Sequence, residues 1–356
     1  MKTEPTINTV GVRKYQGLQI LRITAACMVL LTHSTFYASE RLDRHFLVWG
    51  KGASGVDIFF VLSGFVMIYS SQRLFTHPNG WRIFAERRIV RIVPIYWIAT
   101  TIKLIALLAT TGYVLHAQFR VANTIESYLF LPAYNSEGIV IPVLGVGWTL
   151  NFEMFFYFLF TFALFLRLNV YKFVGAVLAL LAVGAFFRKP GWPAASFYLD
   201  TNVIEFFYGM LVANICLIGK HLPRFIAIPL LVLSFVALLS SWPRLNPLHG
   251  LQYGIAAGLI VYSMASLEDS LTRIPRFVLY GADASYAIYL FHPFIAPAVP
   301  LVLIKLHLQH PWLSVFCSVF LALTGGCLVH QFIEIPMTKW FRDHLLVAGR
   351  TVIHQV

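Results

Sequence analysis

Residues 18–38 read LQILRITAACMVLLTHSTFYA, an apolar run that carries one arginine, Arg22, and one histidine, His33. A helix through it is long enough for a bilayer core, which takes about 20 residues to cross. Runs of the same kind recur near 53–72, 92–112, 144–166 and 170–187, and again near 203–219, 225–241, 249–267, 284–305 and 312–333. The joints between them carry turn signals: HPNG at 77–80, KPGWP at 189–193, WPRLNP at 242–247 and QHP at 309–311. The sequence therefore predicts an all-α, polytopic integral membrane protein with ten spans. An even number of spans puts both termini on one side.

Composition agrees with that reading. Of 356 residues, 58% are hydrophobic and only 12% are charged, about half the charged share of an average soluble domain. The mean hydropathy is +0.74, which excludes a disordered chain. The formal net charge is +12, yet the lysines and arginines are scattered over short connections and form no single stripe, so nucleic acid is not an expected partner. Their placement orients the chain. Residues 73–91 hold Arg73, Arg82, Arg87, Arg88 and Arg91, whereas 113–142 hold only Arg120, and the positive-inside rule then puts both termini in the cytoplasm. The expected layout is one membrane domain over 1–356 in the cell (inner) membrane, with a cytoplasmic segment at 1–17 and a cytoplasmic tail at 334–356. The four cysteines lie inside apolar runs without C-x-x-C spacing, so neither a disulfide framework nor a metal site is expected.

Ionisable residues inside spans are costly and few: Arg22, His33, Asp57, Lys103, Glu153, Glu205, His292 and His330. Arg22 and His33 are eleven residues apart, which on a helix leaves them on one face, roughly 16 Å apart along the axis. Snorkelling by Arg22 and an interhelical hydrogen bond from His33 are the structural alternative. Asp57 lies among small residues in KGASGVDIFFVLSGFVM, where it could pair with Arg22, orient an imidazole or cap its own helix. Arg87, Arg88 and Arg91 in RRIVRIVPIYW read either as a membrane anchor or as phosphate ligands, because guanidinium forks match phosphate oxygens. Glu153 in GWTLNFEMFFY shares a helix face with Tyr157 four residues on, and buried there it needs a cation, an imidazole or a proton. Ser285, Tyr289 and His292 follow i, i+4, i+7 spacing and form one polar stripe ahead of Pro293.

These segments resemble the membrane-bound acyltransferase family 3, in particular its exopolysaccharide and O-antigen O-acetyltransferase (ExoZ-type) branch. The likeness rests on Arg22-x10-His33, on GVDIFFVLSGFVM, on RRIVRIVPIYW, on GWTLNFEMFFY, and on SYAIYLFHPF and FIEIPMTKWF, in that order over most of the chain. It implies acyl transfer, often acetyl, from a cytoplasmic acyl-coenzyme A to a hydroxyl of a carbohydrate. Acetyl-CoA is then a co-substrate and no permanently bound cofactor is expected. By motif, His33 is the catalytic histidine with Arg22 as its partner, Arg87, Arg88 and Arg91 contact coenzyme A phosphates, and Glu153 is the acidic residue of the fourth span.

A thioester-to-ester exchange needs the acceptor hydroxyl deprotonated at attack, which suits imidazole. His33 is therefore the expected base, with Glu153 or Asp57 as the carboxylate that orients it; a covalent acyl-histidine is the alternative route. Trp148, Tyr157, Ser285, Tyr289 and His292 are the expected substrate contacts, and Tyr128 and Tyr134 add aromatic faces on the outer side. The expected partners are the carbohydrate acceptor, the bilayer and polysaccharide assembly proteins. A proton-coupled transporter of a small solute or lipid-linked sugar is the rival class, since buried Arg, His, Asp and Glu also describe such carriers. Two lesser readings are a non-catalytic scaffold and haem ligation by His33, His292 or His330.

Overall fold

The computed structural model describes residues 15–109, 120–240, 247–271 and 273–345. The expected N-terminal segment up to residue 14, the tail from 346, and parts of the 113–142 and 242–247 connections lie outside the described residues. Within the described residues, every apolar run predicted from sequence falls mainly on helix. In chain order the helices are α1 (Gln16–Arg41), α2 (Gly55–Ser70), α3 (Gly80–Ala109), α4 (Val121–Tyr128), α5 (Trp148–Phe165), α6 (Val170–Gly184) and α7 (Ile204–Leu217). They continue with α8 (Arg224–Leu239), α9 (His249–Ser266), α10 (Arg276–Asp283), α11 (Ser285–Ile295), α12 (Ala298–Lys305), α13 (Pro311–Val329) and α14 (Ile335–Leu345). Among the described residues, the only β pairing is an isolated bridge between Tyr134 and Val140.

Among the described residues, six helical stretches are long and apolar enough to cross a membrane, and three more, Val170–Gly184, Thr201–Leu217 and Arg224–Leu239, are apolar but shorter. Their outward faces suit lipid. Phe316 and Phe320, one turn apart on α13, are 70% and 60% exposed, and Phe225 on α8 is 73% exposed. In water such faces would be an aggregation surface.

The structure moves one expected boundary. The span predicted at 92–112 begins at Gly80, so Arg82, Arg87, Arg88 and Arg91 sit on α3 and not in a connection. Arginine and glutamate are good helix formers, and Arg82 pairs with Glu86 one turn on at 2.7 Å. A helix of 30 residues is about 45 Å long, so its basic first third projects beyond a bilayer core. The span predicted at 284–305 is divided between α11 and α12 around Ala296 and Pro297. Pro293 and Pro297 each remove a backbone donor there.

Close approach of α2 and α7 makes the centre of the bundle. A Cβ added at Gly64 would stand 2.0 Å from the Phe206 carbonyl oxygen, and one at Gly209 would stand 2.0 Å from that of Val61. Each helix thus lays its backbone against a glycine of the other. The first turn of α1 is tied across the bundle, where Gln16 and Gly17 donate their backbone N–H groups to the Glu268 carboxylate at 2.7 and 2.8 Å. That clasp satisfies orphan donors at a helix start and places a carboxylate on the positive end of the helix dipole.

Candidate active site

Between α1, α2, α3, α5 and α11 lies a cavity of about 300 Å³. At the end where α1 begins and α2 ends, Arg22, Arg88 and Arg91 line it. Arg88 and Arg91 are three residues apart and share a helix face, while Arg87, turned by about 100° from Arg88, does not line the cavity. Arg22 hydrogen-bonds Gln19 at 3.2 Å. The Arg88 guanidinium lies over the rings of Phe84 and Tyr157, 5.6 and 5.9 Å from their centroids.

Glu153 faces the same space. It accepts hydrogen bonds from Ser63 Oγ at 3.0 Å and from the Tyr157 hydroxyl. Expected partners for this carboxylate were a cation, an imidazole or a proton, and the structure adds two hydroxyl donors, with Arg88 near enough to act on it electrostatically. Ser285 and Tyr289 both border the cavity; the Ser285 hydroxyl is buried without a hydrogen-bond partner, and the Tyr289 hydroxyl donates to the Val146 carbonyl at 3.1 Å and lies within hydrogen-bond distance of Thr149 Oγ1 at 3.0 Å.

One turn past Tyr289 stands His292, almost wholly buried, its ring centroid 5.9 Å from the tyrosine ring. His33 meets it from α1. The two rings stack at 4.9 Å, with His33 Nδ1 2.6 Å from His292 Nε2. The partner of His33 is thus an imidazole and neither of the expected carboxylates. Network logic fixes the protons for a neutral pair. His292 Nδ1 lies 3.3 Å from the Ile288 carbonyl, an acceptor only, so Nδ1 carries the hydrogen and Nε2 the lone pair. His33 Nδ1 must then donate, which leaves His33 Nε2 with a free lone pair.

Asp57 is elsewhere. It accepts from His249 Nε2 at 3.1 Å and borders a second cavity of about 290 Å³ together with Trp148, Asn202, His249 and Tyr253. The expected links of Asp57 to Arg22 or His33 are replaced by this one, because the first turn of α2 points this carboxylate toward α7 and α9. Trp148 and Tyr157, grouped from sequence as substrate contacts, line different cavities, whereas the neighbouring Thr149 lines the first. Tyr128 is taken up by Thr101 at 2.6 Å and Tyr134 by the Trp192 carbonyl at 2.5 Å. Sequence reasoning overlooked His249, which opens the run predicted at 249–267, two residues past the turn-rich WPRLNP stretch, and so reads as a span-end residue. His330 pairs with Glu334 at 2.7 Å within one π-helical turn, apart from both cavities. All four cysteines are free.

A family model described as an acyltransferase domain matches residues 15–344. The chain belongs to this acyltransferase family. Among relatives of this acyltransferase is the exopolysaccharide production protein ExoZ of Rhizobium meliloti (strain 1021), 33% identical over 88% of this chain and 97% of ExoZ. Nodulation protein 10 of Rhizobium leguminosarum bv. viciae is 27% identical over 78% of this chain and 81% of its own. The "Putative peptidoglycan O-acetyltransferase YrhL" of Bacillus subtilis (strain 168) is 24% identical over 97% of this chain, a match that spans 58% of YrhL. No solved structure matches. Membership makes the acyltransferase a transferase and removes the reason to read its buried charges as a carrier's.

Proposed function

We propose that this acyltransferase moves an acyl group, acetyl first among them, from acetyl-CoA to a hydroxyl of an exported carbohydrate. The observation that carries the reading is one cavity lined both by Arg22, Arg88 and Arg91 and by Tyr289, whose ring neighbours His292 of the His33–His292 pair. Its shape suits an extended donor with phosphates among guanidinium forks and a thioester at the far end. His33 Nε2 accepts the hydroxyl proton as the sugar oxygen bonds to the thioester carbon; the carbon–sulfur bond breaks and the departing thiolate ends protonated. His292 holds the His33 ring in the tautomer that leaves Nε2 free. Glu153, fixed by Ser63 and Tyr157, tempers the charge of the arginine mouth.

The carbohydrate class follows the names of relatives: ExoZ belongs to exopolysaccharide production, and YrhL's name gives peptidoglycan O-acetylation. Polysaccharide assembly proteins are the natural neighbours of such an enzyme. Purified protein given labelled acetyl-CoA should release labelled acetate or a labelled glycan. The surface polysaccharide of cells that hold the gene should be heavier by one acetyl increment than that of cells without it. Flux of an intact solute into vesicles without acyl release would sink the proposal.

Ten crossings with both termini on the cytoplasmic face of the inner membrane complete it. Single cysteines placed in 73–86 are expected to react only from inside, and those in 120–142 only from outside. The reverse pattern would exchange the donor and acceptor sides.

A further inference from the structure

At the second cavity is a cluster that acyl transfer, as proposed above, does not use; two of its members, Asp57 and His249, line the cavity and the third, Glu205, does not. Asp57 from the first turn of α2, Glu205 from the first turn of α7 and His249 at the start of α9 converge there, and one donor atom from each lies within 4.8 Å of the other two. Glu205 is fully buried, and neither of its oxygens accepts from an N–H or O–H donor. The other charges acting on it come from Asp57 and Asp200, both acidic. Space has been made for it all the same: α9 carries Gly254 where a Cβ would stand 2.7 Å from Glu205 Cγ. A buried carboxyl whose near neighbour is a second carboxyl, that of Asp57, needs either a shared proton or a cation between the two.

His249 narrows the choice. Its Nε2 faces Asp57 Oδ1 at 3.1 Å, and its ring stacks on Tyr253 at 4.4 Å, which fixes the imidazole plane. One imidazole nitrogen with two carboxylate oxygens is the donor set of a divalent transition cation, zinc in particular. Ligand bonds of about 2.0 to 2.2 Å bring tetrahedral donors to roughly 3.3 to 3.6 Å from one another, so closing the present cluster on an ion takes side-chain movements of about an ångström. Asp57 and His249 line the cavity, so the remaining coordination position faces open space beside Trp148 and Asn202. We infer that Asp57, Glu205 and His249 form a binding site for one divalent cation of the zinc class, separate from the arginine-lined cavity.

The test uses the full chain, purified in detergent, stripped with chelator and dialysed against metal-free buffer, with Zn²⁺ as the probe. Metal analysis and titration calorimetry should then find one zinc per chain. Glu205→Gln and His249→Ala should each weaken binding by roughly tenfold or more, as loss of a ligand does at least as strongly as loss of its supporting partner. His330→Ala, which breaks the other buried histidine–carboxylate pair, should leave it unchanged. If Glu205→Gln fails to fold, His249→Ala decides alone, since that ring is partly exposed at the cavity wall. A chain that takes up no stoichiometric zinc overturns the proposal and leaves Glu205 and Asp57 sharing a proton. Binding that survives His249→Ala, or that is lost with His330→Ala, overturns it as well.

Discussion

His33→Ala is expected to lower kcat by about 10²- to 10⁴-fold, or roughly 3 to 5 kcal/mol of barrier, the usual contribution of a positioned general base. The protein should still insert and fold. His33 is only partly buried and its one strong polar contact is the 2.6 Å link to His292, so truncation removes a base without opening the glycine-packed centre of α2 and α7. His292→Asn separates a positioning role from a chemical one. An asparagine side-chain oxygen can accept from His33 Nδ1 as His292 Nε2 does, so this variant should retain much more activity than His292→Leu, with little change in KM for either substrate. Initial rates with labelled acetyl-CoA, on protein matched for membrane insertion, check both expectations. Full activity in His33→Ala would end its assignment as base, and equal activity in the two His292 variants would end the tautomer argument.

Part of the arginine mouth was legible in the chain, because helical spacing sets Arg88 and Arg91 on one face and eleven residues set Arg22 and His33 on another; Arg87, grouped with them from sequence, does not line the cavity. The register of α3 was misread for a related reason: a stretch with four arginines between residues 82 and 91 looks like a connection when hydropathy is the guide, although arginine favours helix. His292 as the partner of His33 lies 259 residues away, and Asp57 meets His249 across 192. No periodicity reports such pairs, since they depend on which faces α1, α11 and α9 turn inward. What sequence does report is the cost of an ionisable group in lipid, and it marked His33, Asp57, Glu205 and His292 correctly as groups that require partners. It could not say that they divide into two clusters. That division follows from α2, which places Asp57 in its first turn, and Ser63 two turns later against Glu153.

Removing charge at Arg91 should raise KM for the acyl donor by about tenfold or more while leaving kcat and the acceptor's KM nearly unchanged, because a charge-assisted hydrogen bond to phosphate is worth about 1.5 to 3 kcal/mol. Arg91 is the clean position to test: it lines the cavity and is exposed, so no buried partner is stranded by Arg91→Gln. Arg88 should behave differently. Its guanidinium lies over Phe84 and Tyr157, and the hydroxyl of the same Tyr157 donates to Glu153. Arg88→Gln therefore takes a cation from beside a half-buried carboxylate as well as from the donor, and should cost stability along with affinity. Arg88→Lys restores the charge but not the fork, so the folded protein should return while donor KM stays raised. Steady-state kinetics in both substrates, paired with thermal unfolding in detergent, resolve the three variants. If Arg91→Gln raises the two Michaelis constants equally, or neither, the arginines anchor the helix at the membrane surface and the donor binds elsewhere.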